Sequence, residues 1–136
     1  RKQGSKNYFD YGLMKSLNNN KQMKDVWRFG LTKPSEKRLG KHPTQKPLEI
    51  IRRFVKALSY EGAIVLDFFA GSGTTGRVCI EENRNSILID TDSTMKEYFK
   101  KHILKADVSS SKPYEIFEDI QLDKYFKLVK SATQTE

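Results

Sequence analysis

Apolar residues recur along this chain in two rhythms. Between Pro47 and Tyr60 they fall at Leu48, Ile51, Val55 and Leu58, spacings of three and four that share one face of a helix. Pro47 suits the first turn of that helix, where its missing N–H costs nothing, and Arg52, Arg53 and Lys56 fall away from the stripe, which leaves them to solvent. From Ala63 to Phe69 the apolar residues are nearly continuous, the pattern of a strand covered on both faces in a parallel sheet. A tight Gly/Ser/Thr loop is predicted at Gly71 to Gly76, a helix from Arg77 to Asn83 and a second strand from Ser86 to Asp90. Thr94 and Glu97 have capping-box spacing at the front of a third helix running to about Leu104. Strand, glycine turn, helix, strand, helix predicts an α/β fold, a doubly wound sheet with right-handed crossovers.

The flanks are less regular. Tyr8 to Leu17 has the content of a short helix and Asp25 to Gly30 reads as a short strand, with a Pro-, Gly- and Lys-rich loop from Leu31 to Lys46. Downstream, Tyr114 to Phe117 is a candidate strand and Leu122 to Val129 a candidate helix. No repeat appears, and the Asn18–Asn20 and Ser109–Ser111 runs read as turns.

Composition sharpens this outline. At 136 residues the chain can bury one core. The mean hydropathy of −0.67 and 31% charged residues imply a wet surface. The net charge of +8 favours a polyanionic partner. Its distribution supports this: Lys33, Lys37, Arg38, Lys41, Lys46, Arg52, Arg53 and Lys56 are opposed only by Glu36 and Glu49, whereas the stretch from Asp107 onward is mildly acidic. Cys79 is the single cysteine, which rules out an internal disulfide or a multi-cysteine zinc site and fits a reducing cytoplasm and a core position. The longest mainly apolar run, Gly62 to Ala70, is far too short to span a bilayer, so no membrane association is expected.

The richest chemistry lies in Ala63-Ile-Val-Leu-Asp-Phe-Phe-Ala-Gly-Ser-Gly-Thr-Thr-Gly76. Glycines at a strand's C-terminal end let backbone approach a ligand closely, and the helix that follows presents free N–H groups. Asp90, on the next strand, can accept from both hydroxyls of a ribose. A phosphate-binding P-loop would need Lys and then Ser/Thr after the last glycine, but Arg77 and Val78 stand there. Gly71, Gly73 and Gly76 do satisfy the dinucleotide spacing G-x-G-x-x-G, so an NAD-dependent oxidoreductase remains a reading of these residues. S-adenosylmethionine accounts for one further residue. Asp67, four residues before the first glycine, is placed to receive a methionine ammonium, where a pyrophosphate would be repelled.

Asp67 to Gly76, preceded by Lys41-His-Pro-Thr-Gln-Lys-Pro47 and by Asp25-Val-Trp27, resembles the β class of DNA amino-methyltransferases of bacterial restriction-modification systems. The combination spans about half the chain, and its specificity lies in His-Pro-Thr-Gln-Lys-Pro standing one helix ahead of Asp-Phe-Phe-Ala-Gly-Ser-Gly-Thr. The resemblance implies a partial Rossmann-like methyltransferase fold binding S-adenosylmethionine. Thr44, Lys46 and Pro47 would line the methionine pocket, while Asp67, Phe69, Ala70, Gly71, Ser72, Gly73 and Thr74 would cradle the amino acid. Asp90 would take the ribose, where the family more often carries Glu, a longer reach. His42 reads as a loop-ordering residue rather than a base.

The resemblance also shows what is missing. The family flips a base from the duplex and methylates its exocyclic nitrogen, held by an Asp-Pro-Pro-Tyr type segment that this chain does not contain. In this class that segment precedes His-Pro-Thr, so truncation upstream of Arg1 would remove it. Ser111-Lys-Pro-Tyr114 is a superficial match in the wrong order, with Lys112 replacing a shape-setting proline. No catalytic residue is therefore expected here. Residues 1–30 are expected to end a target-recognition region and lead by a strand into the cofactor lobe of residues 31–136. Lys33, Lys37, Arg38 and Lys41 would touch the phosphates of double-stranded DNA. Adenine N6 is taken ahead of cytosine N4 as the target. The catalytic half would lie on the same or another chain, the latter making this a split, non-catalytic subunit; a homodimer is a further arrangement the resemblance allows.

Overall fold

The computed structural model describes residues 4, 6–37, 45–94 and 96–100. At its centre β1 (Ile64–Asp67) and β2 (Asn85–Leu88) pair in parallel, in the register Ile64↔Asn85 to Asp67↔Leu88. They are joined through α3 (Thr74–Glu81), which packs against β2 and against α2 (Leu48–Leu58). Leu48 and Val55 of α2 meet Val78 and Cys79 of α3 in the core, with Ile51 and Val65 packed against them. This is the predicted strand–loop–helix–strand unit, a partial Rossmann-like α/β arrangement.

The apolar stripe of α2 is used as its spacing requires, except at its end. Leu58 is exposed, while Ala57 is buried on the side where the backbone N–H of Asp10 donates to the Ala57 oxygen at 2.9 Å. That bond docks α1 (Tyr11–Ser16), shorter than the expected Tyr8 to Leu17 helix because the Asp10 carboxylate caps it, accepting from the Leu13 amide at 2.9 Å. Pro47 stands just before α2 rather than within its first turn, and with no capping side chain of its own the helix borrows one. Glu36, in a short 3-10 turn (Pro34–Glu36), accepts from the Leu48 amide at 3.0 Å.

Several sequence expectations are corrected. Arg52 and Lys56 are not simply solvated: Arg52 pairs with Glu81 and, at 2.8 Å, with Glu82, and Lys56 reaches Glu82 at 3.1 Å, riveting α2 to the end of α3. Arg53 lies over the rings of Phe29 and Trp27, 4.6 and 5.0 Å from their centres. Residues 25–30 form no strand; Trp27 and Phe29 are instead committed to this clasp, and Trp27 also packs against Phe54. Helix α3 begins at Thr74, so Gly76 is helical rather than part of the loop. A Cβ on Gly76 would stand 2.5 Å from Leu88 Cδ1, which shows how closely α3 lies on β2.

The strand expectation needs the largest change. Ile64 is 67% and Leu66 49% exposed, and Ile87 and Ile89 are also exposed, so among the described residues β1 is covered on one face only. A continuous apolar run signals the capacity to be buried twice, whereas the described residues supply helices for one side. Residues 96–100 are helical, with Thr94 two residues ahead of them. Its hydroxyl and amide both donate to Asp92, and Glu97 pairs with Lys100. The candidate elements at Tyr114 to Phe117 and Leu122 to Val129, the Ser111 to Tyr114 segment, and the continuation to Leu104 lie outside the described residues.

Candidate functional site

The glycine loop is folded by its own sequence. At the end of β1 the Asp67 carboxylate turns back on the chain, Oδ1 accepting from the Phe69 amide at 3.0 Å. Phe68 and Phe69 are thrown outward, Phe69 to 90% exposure. Ala70 then returns to the sheet edge, its N–H donating to the Ile89 oxygen at 3.1 Å, while Ile89 donates to the Asp67 oxygen at 2.9 Å. Gly71 and Gly73 both take positive φ, +50° and +77°, a region that disfavours side chains. Gly73 has a second reason to be glycine, since a Cβ there would stand 2.6 Å from Phe99 Cδ1.

Two carboxylates converge on this loop. Asp90 Oδ2 accepts from the Gly71 amide at 2.7 Å, and its Oδ1 accepts from the Asp92 amide at 2.9 Å. Asp67 Oδ2 accepts from the Thr75 hydroxyl at 2.6 Å. Ser72 and Thr74 hydroxyls lie 3.2 Å apart, and Ala70, Ser72, Gly73, Thr74 and Thr75 are buried. An ionised carboxylate offers about four acceptor positions, so Asp67 and Asp90, each engaged by two donors among the described residues, retain capacity toward a ligand. The first turn of α3 adds backbone N–H groups. Acceptors beside such donors suit a zwitterionic amino acid.

The sequence-predicted residues divide as follows. Asp67, Phe69, Ala70, Gly71, Ser72, Gly73, Thr74 and Asp90 are gathered around one loop. Lys46 is exposed and Pro47 half-buried at the start of α2, where the Leu48 amide goes to Glu36. Thr44, with His42, lies outside the described residues, as do Arg38 and Lys41. Lys33 and Lys37 are exposed on either side of the 3-10 turn.

Thr75 and Gln45 stand outside the site residues predicted from the sequence. Two adjacent threonines opening a helix are poor helix formers, a signal that their hydroxyls have other employment. Gln45 stitches the loop before α2, accepting at its backbone from the Thr32 hydroxyl at 2.9 Å and donating from Nε2 to the Glu36 oxygen at 3.2 Å. Among the described residues its Oε1 is buried without a hydrogen-bond partner.

A family model described as DNA methylase, of the N6 and N4 type, matches residues 1–101. The chain belongs to the DNA methylase family. Among relatives of this family member, the Type II methyltransferase M2.LlaDCHI of Lactococcus lactis subsp. cremoris is 52% identical over 96 residues, 71% of this chain and 35% of that protein. The Type II methyltransferase M2.DpnII of Streptococcus pneumoniae is 51% identical over the same shares. The DNA adenine methyltransferase YhdJ of Escherichia coli is 36% identical over 119 residues, 88% of this chain and 40% of that protein. The chain thus spans about a third of the length of the first two of these curated relatives. A crystal structure of an M1.HpyAVI–SAM complex is similar at 38% identity and a TM-score of 0.44, covering 47% of this chain and 33% of its own. Among the described residues no helix is long and apolar enough to cross a membrane.

Proposed function

We propose that this methylase-family chain holds S-adenosylmethionine on its glycine loop and serves methyl transfer to the exocyclic amino group of adenine in DNA. The observation that supports the cofactor reading is the convergence of Asp67 and Asp90 on Gly71 to Thr75. Asp67 receives the ligand's ammonium, the α3 amides its carboxylate, and Asp90 its ribose hydroxyls. Phe69, Ala70, Ser72, Gly73 and Thr74 shape the cradle, and Thr44, Lys46 and Pro47 close the methionine end. When bound, the cofactor supplies an electrophilic methyl group on a sulfonium centre. The chain's own part is to bind and orient it.

Residues 1–30 end the target-recognition region, and residues 31–136 form the cofactor lobe. Lys33, Lys37, Arg38 and Lys41 lend affinity for double-stranded DNA through phosphate contacts, which makes binding salt-dependent. No Asp-Pro-Pro-Tyr occurs in these 136 residues, so turnover requires that segment from the rest of the polypeptide or from a second chain, with pairing of two copies a further arrangement. The setting is the bacterial cytoplasm.

Titration calorimetry tests the cofactor assignment. S-adenosylmethionine is expected to bind and NAD to give no heat; the reverse result would overturn the cofactor assignment. Methyl transfer from labelled cofactor to DNA is expected to be undetectable with this chain alone. It should appear when a fragment bearing Asp-Pro-Pro-Tyr is added.

A further inference from the structure

We propose that Thr75 is a positioning residue: it holds the Asp67 carboxylate in the orientation that receives the ammonium of the ligand. This rests on the reading of the loop as an S-adenosylmethionine site. The χ2 torsion of an aspartate is soft and roughly two-fold, so a carboxylate at a strand end faces one direction only if its oxygens are held. Here each oxygen is held by a different element. Oδ1 accepts from the Phe69 amide in the turn, and Oδ2 accepts from Thr75 Oγ1 on α3 at 2.6 Å.

Thr75 is 9% exposed, so water competes little for its hydroxyl. That hydroxyl has one proton and gives it to Asp67, leaving the remaining lone pairs of the carboxylate for a cationic group. The contact also ties the end of β1 to the first turn of α3. An acceptor fixed before binding spares the ordering cost that a rotating one would incur.

The test uses the whole chain and two ligands. S-adenosylmethionine carries the ammonium, whereas methylthioadenosine shares the nucleoside and sulfur but lacks the amino acid. Thr75→Val should weaken S-adenosylmethionine binding by about tenfold, the scale of one charge-assisted hydrogen bond, with methylthioadenosine affinity unchanged. Thr75→Ser, which keeps the hydroxyl, should recover binding to within about threefold. Equal weakening of both ligands by Thr75→Val would show a purely structural role, and an unchanged S-adenosylmethionine affinity would show that the contact does not matter; either overturns the proposal. If Thr75→Val does not fold, Thr75→Ala, which adds no bulk, carries the same ligand-selective prediction. Wild-type chain that binds neither ligand would instead overturn the cofactor reading, and the proposal with it.

Discussion

The guanidinium of Arg84 donates to the backbone oxygen of Ser59 at 2.7 Å, so the residue before β2 closes the C-terminal end of α2. It also reaches the Ser59 hydroxyl at 3.3 Å and the backbone oxygen of Glu82 just beyond α3. One buried cation therefore answers carbonyls that two helix ends leave without intrahelical partners. Arg84→Ala strands those oxygens at a site where the native residue is 8% exposed, and a loss of about 2–3 kcal/mol is expected. Urea denaturation measures it; a loss under about 0.5 kcal/mol, the scatter of surface substitutions, would mean that water replaces the guanidinium freely.

Cys79 offers a pH-dependent check on the same core. Burial pushes its thiol up from 9.0 to about 11, with Arg84 pulling the other way and Asp67 adding to the rise. Below pH 9 the thiol is neutral in both folded and unfolded chains. Between 9.0 and about 11 the unfolded chain releases this proton while the folded chain keeps it, so stability falls as pH rises, by up to about 1.4 kcal/mol per unit. Cys79→Ala should flatten that decline, and the native thiol should resist alkylation at pH 8 until denaturant is added.

The two glycines flanking the start of α3 should respond differently to alanine. Gly73→Ala meets both a positive φ and the Phe99 ring and backbone, and should cost about 2 kcal/mol or more. At Gly76 the added methyl meets the mobile end of Leu88, and a helix-propensity gain of about 1 kcal/mol offsets part of the displacement. Thermal melts ranking Gly76→Ala as the more damaging would contradict the described loop geometry.

Trp27 is the single tryptophan, which makes the Arg53 clasp directly observable. Arg53→Ala should shift its fluorescence emission and loosen residues 25–30, at a cost of about 1 kcal/mol. Unaltered emission would indicate that Arg53 does not sit over the ring in solution.

For the proposed DNA surface, replacing Lys37, Arg38 and Lys41 together with alanine should lower affinity and reduce the salt slope by up to about three, near one unit per phosphate contact. Equal binding at low salt would remove this loop from the interface.

Read alone, the sequence determined the order of helix, strand, glycine loop, helix and strand from Leu48 to Leu88, and where Asp67 and Asp90 stand relative to the glycines. The Leu48–Ile51–Val55 stripe, the Ala63 to Phe69 run and the spacing of Gly71, Gly73 and Gly76 are periodicities, and a period is complete within a dozen residues. Asp67 and Asp90 were legible because their places relative to the glycines follow from strand and loop lengths. Only the tertiary structure decided which charges are solvated and which are spent. Arg52 and Lys56 on Glu81 and Glu82, Arg53 on Trp27, Glu36 on the Leu48 amide and Arg84 on Ser59 each join residues 12 to 30 apart in the chain. Such long side chains reach whatever packing brings near, and no local pattern encodes that neighbour. Likewise the apolar run of β1 specifies a strand that can be covered twice, but coverage belongs to whatever packs on each face. Among the described residues, α2 and α3 lie on one face, and Ile64 and Leu66 stand exposed on the other.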